Sequence, residues 1–125
     1  MNITIKNTTR DMWQKLIRSF VHGGDPFEIR CWEGENEEFA KKWSDSFERE
    51  EPETIYHGKV TGAFLKAFCA ENTSGGITDF FSVGFEMNGS LLYSEKYGEE
   101  VHVLNIDEKD EQLIIDAGAS EYEVY

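Results

Sequence analysis

Alternation dominates the second half of the chain. Phe81, Val83, Phe85 and Met87 take every second place, with Ser82, Gly84 and Glu86 between them, and the run ends at Asn88-Gly89. A period of two is that of a strand with one buried face. Asn-Gly between two such runs is the strongest short-range hairpin signal, because both turn residues must accept positive φ. A two-residue turn there predicts Phe85 opposite Leu92 on one face. On the other it sets Tyr93 opposite Gly84, where the ring covers the missing side chain. Tyr97-Gly98 predicts a second turn into residues 101–106, which completes a three-stranded meander.

The first half mixes two periods. Ile3 and Ile5 predict a short opening strand over residues 1–6. Met12, Trp13, Leu16, Ile17, Phe20 and Val21 recur at helical spacing behind a capping-box pair, Thr8 and Asp11, and the glycines before Pro26 stop that helix. Phe27, Ile29 and Cys31 then alternate with Glu28, Arg30 and Trp32, which predicts a strand. With Asn36 as its cap, a second helix is expected to run to about Arg49, where Pro52 soon prevents its continuing. Phe39, Ala40, Trp43 and Phe47 would share its inner side. On its outer side Glu37 with Lys41, Glu38 with Lys42, and Asp45 with Arg49 stand four apart in the favourable order, about 0.2–0.5 kcal/mol each. The acid-rich stretch CWEGENEEFAKKWSDSFEREEPE therefore reads mainly as a self-neutralised amphipathic helix.

Residues 54–70 predict a strand to about Val60 and then a helix, and residues 71–76, ENTSGG, a loop. Asp107 and Asp110 cap a short helix that would bury Leu113, Ile114 and Ala117 and end at Gly118; the tail EYEVY reads as a last edge strand. Helices early and a meander late define the α+β class: one compact domain over residues 1–125, with a mainly antiparallel sheet packed against two to four helices. At this length one core buries roughly two-thirds of the surface the unfolded chain exposes. A composition 39% apolar and 14% aromatic belongs to a folded chain.

Charge changes the picture most. The net charge is −13, which opposes direct contact with nucleic acid or an anionic membrane, since both need Lys and Arg to meet phosphate. No stretch reaches the roughly 18 apolar residues that span a bilayer, and MNITIKNTTR is no leader; the expected location is cytoplasmic. The charge is also segregated: residues 1–30 carry net +2, 31–53 net −6, 54–70 net +2 and 71–125 net −11. Solubility alone does not require such blocks. Glu95, Glu99, Glu100, Asp107, Glu108, Asp110 and Glu111 face only Lys96 and Lys109 in sequence, and Glu50 and Glu51 are unpaired at the end of the acid-rich stretch. Some of these acids have a local use, because negative charge at a helix start is worth about 0.3–1 kcal/mol. Trp32 shares a strand face with Glu28 and Arg30, which suits an aromatic anchor at a polar rim.

Catalytic signatures are scarce. GxSxG, HExxH, a P-loop and a dinucleotide fingerprint are all missing from the sequence. Cys31 and Cys69 stand far apart without a CxxC or Cys/His cluster and read as reduced, inert core residues. His57 and His102 lack a carboxylate at a diagnostic spacing and read as structural. Residues 107–118 lack the D-x-D-x-D-G order of a calcium loop. The expectation is a chain without catalytic residues, metal or cofactor. It would act as an acidic protein-binding inhibitor or decoy, covering the basic, nucleic-acid-binding surface of a partner such as a nuclease. Immunity proteins and phage antirestriction or anti-CRISPR proteins use the same physics. Trp32, Glu50, Glu51 and the acids from Glu95 to Glu111 would make the contact, and a homodimer is compatible with it. Two other readings stand beside this one. One is a small ligand-binding or enzymatic domain with a pocket between helices and sheet, for which Tyr56, His57, His102 and the NTSGG loop are first candidates. The other is an accessory subunit of a larger assembly.

Overall fold

The computed structural model describes residues 1–70 and 76–125, so the expected loop at 71–76 lies, except for Gly76, outside the described residues. In chain order the elements are β1 (Ile3–Ile5), α1 (Arg10–Phe20), β2 (Pro26–Trp32), α2 (Glu37–Trp43), β3 (Ser46–Glu50) and β4 (Glu53–Lys59). Then come α3 (Gly62–Ala70), β5 (Ser82–Met87), β6 (Ser90–Glu95), β7 (Glu100–Leu104), α4 (Glu108–Asp116) and β8 (Tyr122–Val124). The eight strands form one sheet in the order β3-β4-β2-β5-β6-β7-β1-β8, and every pair is antiparallel. The α+β class and the antiparallel sheet are as the pattern predicts.

Strand parity divides the sheet into a covered and a bare face. Ile3, Ile29, Val83, Phe85, Leu92 and Val101 point one way and join the buried residues of all four helices in a single apolar core. Phe27 stacks on Phe64 with ring centroids 4.3 Å apart, and Phe68 lies 5.0 Å from Phe80. Residues of opposite parity, such as Glu28, Arg30, His57, Tyr93 and His102, remain half-buried on a face that no described helix covers. Polar side chains tolerate that position, and so the sheet needs no second layer. The Asn88-Gly89 turn has positive φ at both residues, 47° and 94°, and the register pairs Phe85 with Leu92 and Gly84 with Tyr93. The Tyr93 ring lies over Gly84 so closely that an added Cβ would meet it at 2.7 Å.

Three of the helices depart from the pattern. The cap of α1 is Thr9, whose hydroxyl accepts from the Met12 N–H at 3.2 Å, so the expected pair at Thr8 and Asp11 is one residue out of register. Leu113 is 36% exposed and not in the core, while α4 buries Ile114 and the following Ala117 is buried as well. The largest change is in the second helix, which stops at Trp43. Ser44 donates a last helical bond to the Ala40 carbonyl at 3.0 Å, adopts extended geometry, and hands the chain to β3. Asn36 sits at φ 54° and makes no cap bond; its amide donates to the Asp79 carbonyl. Phe47 and Arg49 alternate with Ser46, Glu48 and Glu50, and pair with Tyr56 and Thr54 of β4. A period of two was therefore present beneath the helical one. A seven-residue helix gains little on its own, and the ladder offered by β4 decides the outcome. The expected Asp45–Arg49 helix pair does not form; Arg49 instead pairs with Glu51 at 2.9 Å.

Candidate partner-binding surface

Antiparallel order decides which connections meet. β2 and β3 end, and β4 and β5 begin, at the same end of the sheet, where β6 also turns into β7. Glu50 stands opposite Glu53, Glu53 opposite Trp32, and Glu95 opposite Glu100. Among the described residues, the tips and connections of β2 to β7 at this end thus carry Glu33, Glu35, Glu50, Glu51, Glu53, Asp79, Glu95, Glu99 and Glu100. Arg30, Arg49 and Lys96 answer them. Arg30 bonds Glu28 at 2.7 Å and Glu53 at 3.4 Å, and Lys96 bonds Glu100 at 2.8 Å. Lys6 also acts on Glu100 and Arg10 reaches the Ile77 carbonyl nearby, yet among the described residues the acids at this end outnumber the cations.

Three aromatic side chains are set among these acids. Trp32 meets Phe81 edge-on at 5.5 Å between ring centroids, and Phe81 meets Tyr97 at 5.2 Å. The Tyr97 hydroxyl donates to Glu35 at 3.0 Å and so ties the β6–β7 turn to the connection after β2. Partial burial and that carboxylate hold the Tyr97 hydroxyl above the ordinary tyrosine range. Phe81 was expected to point inward with Val83. The alternation instead breaks ahead of β5: Phe80 fills the core and Phe81 moves to the rim. There it lines, with Glu28, Arg30, Glu53, Ser82, Tyr93 and Glu95, a shallow bare-face depression of about 370 Å³.

The sequence-predicted contact residues fall into two groups. Trp32, Glu50, Glu51, Glu95, Glu99 and Glu100 share the end just described. Asp107, Glu108, Asp110 and Glu111 follow the far end of β7. They serve α4: Asp107 accepts from the Asp110 N–H at 3.0 Å, and Asp110 accepts from the Asp107 N–H at 3.3 Å. The Asp110 backbone bond holds the Asp107 carboxyl below its ordinary range. Phe81, Tyr97, Glu33, Glu35 and Glu53 join the first group although they were not among the predicted contact residues. The aromatic content was visible, but the strand order that gathers it was not.

The ligand-pocket candidates do not converge. Tyr56 is buried on the covered face, whereas His57 and His102 lie on the bare face, on β4 and β7, with three strands between them. Asn72 to Gly75 of the NTSGG loop lie outside the described residues. Each histidine does have a carboxylate nearby, contrary to the reading from spacing. His57 Nε2 is 3.3 Å from Glu48, and His102 Nε2 is 3.4 Å from Glu100 while its Nδ1 is 3.0 Å from the Thr4 hydroxyl. Burial pushes the Cys31 thiol up to about 12, with Glu37 and Glu35 adding to the effect, and burial also raises Cys69. Neither is poised as a thiolate nucleophile. Among the described residues no three His, Cys, Asp or Glu side chains are placed to hold a metal ion, and no helix is long and apolar enough to cross a membrane. No family model, curated protein or solved structure significantly matches the chain.

Proposed function

We propose that this chain is a protein-binding inhibitor or decoy that docks the acidic, aromatic end of its sheet onto the basic, nucleic-acid-binding surface of a partner enzyme. One observation carries the reading: among the described residues, the end of the sheet that carries the Trp32–Phe81–Tyr97 cluster holds more carboxylates than cations. Carboxylates at strand tips present negative charge where a nucleic acid would present phosphate. They speed encounter with a cationic groove, and partly buried aromatics then slow dissociation. The chain acts by occlusion and performs no chemistry of its own. Its action as an immunity or antidefence protein follows from which enzyme is covered.

The test begins with capture from native-host extracts at low salt. The purified partner is then assayed on nucleic acid with and without this chain. The expected partner is basic and processes nucleic acid, and inhibition is overcome by added nucleic acid and weakened by salt. Charge reversal at Glu50, Glu51, Glu95 and Glu99 should reduce inhibition, whereas reversal at Asp110 and Glu111 should not. A neutral or acidic partner, or inhibition indifferent to the first four changes, would overturn the reading.

A further inference from the structure

We propose that two copies of this chain pair through β3 about a two-fold axis at Phe47, joining their eight-stranded sheets into one continuous sheet. β3 is the outermost strand, and all five of its residues are exposed. Phe47 is 69% exposed, with the Tyr56 ring 5.9 Å away on its inner side. An edge strand bearing an exposed aromatic is a template for further pairing unless its charges forbid it.

Here the charges select a second copy. In an antiparallel pair with its two-fold axis normal to the sheet, residues equally spaced about the central one stand opposite each other, and both helical layers stay on the same side. Centring on Glu48, Arg49 or Glu50 sets that charge against itself. Centring on Ser46 runs Arg49 against Trp43 at the end of α2. Centring on Phe47 sets the two rings together, places Asp45 opposite Arg49 twice, and places Ser46 opposite Glu48 twice. Of the registers within β3 this one alone makes opposite-charge pairs and no like-charge pair. Arg49 is steadied along its own strand by Glu51 and by the Thr54 hydroxyl at 3.0 Å, and its guanidinium fork has donors to share with a carboxylate across the axis. The other edge lacks this self-complementarity. β8 centred on Glu123 opposes like charges, centred on Tyr122 it opposes Glu121 to Glu123, and centred on Val124 it forms no ion pair.

Sedimentation of the purified chain, without any partner, tests the pairing separately from the proposed inhibition. A concentration-dependent dimer is expected at low salt, and Phe47→Lys should sediment as a folded monomer. Asp45→Arg alone and Arg49→Asp alone should each weaken dimerisation by about tenfold, and combining the two should restore it, because the exchanged charges again meet opposites. Should Phe47→Lys fail to fold, the charge exchange decides by itself. A wild-type chain monomeric at millimolar concentration, or a double variant no better than the single ones, would overturn the proposal.

Discussion

The two ends of β7 carry similar densities of acid and put them to different uses. At the start of the strand, Glu95, Glu99 and Glu100 stand at strand tips beside Tyr97 and near Trp32 and Phe81. Beyond its end, Asp107 and Asp110 bond each other's backbone N–H and open α4, with Glu108 and Glu111 in its first turn. A helix start offers unsatisfied N–H groups and a positive dipole end, so acids there are stabilised by the fold itself. A strand tip offers neither. The acids at the strand tips lack that local support, which is why the proposed contact with a partner is placed there.

Substitutions can break this contrast, and the largest effect should come from the ring. Trp32→Ala is expected to weaken partner binding by about 2 kcal/mol, some thirtyfold, if Trp32 is an interface anchor. Leu113→Ala changes an exposed apolar side chain beside the opposite end, and titration calorimetry should find affinity within about twofold of wild type. Equal losses at the two positions would mean that the contact surface is not confined to one end. Next in size is the charge effect. Reversing Glu95 and Glu99 should slow association about tenfold at low salt and much less at high salt, because exposed charges are screened. Reversing Asp110 and Glu111 should leave the association rate nearly unchanged and lower the melting temperature instead, since like charge then meets the start of α4.

Much of the framework was legible from local pattern. The Asn88-Gly89 hairpin, the cover of Gly84 by Tyr93 and the Asp107/Asp110 box each depend on residues close in sequence, and all three are present. The stretch from Ser44 to Glu50 was not legible, because Phe47 fits both an aromatic helical stripe and an alternating strand. Only pairing with β4 chooses between them. The acidic surface was legible in part for a related reason. Composition identified the acids, but neighbours in the sheet such as Trp32 and Glu53, or Tyr97 and Glu35, are set by strand order. No local period reports that order, so residues close in sequence were grouped across β7 although the strand holds them apart.

The smallest expected effect separates the ends by pH. The bond from Lys96 holds the Glu100 carboxyl below its ordinary range and, reciprocally, holds the Lys96 amine above its own. A carboxyl lowered in the folded state stabilises the fold above its unfolded pKa, and that contribution disappears as pH falls through the folded value. An amine raised in the folded state stabilises below its unfolded pKa, and that contribution disappears as pH rises through the folded value. The strand-tip pair therefore contributes only between the carboxylate and lysine ranges. Asp107, lowered by the Asp110 backbone, contributes at every pH above the carboxylate range. Melting curves of Lys96→Met should meet the wild type in both strong acid and strong alkali. Those of Asp107→Asn, which keeps a capping oxygen but removes the charge, should meet it only in acid. If both variants give curves of the same shape, the electrostatic difference between the two ends of β7 does not exist.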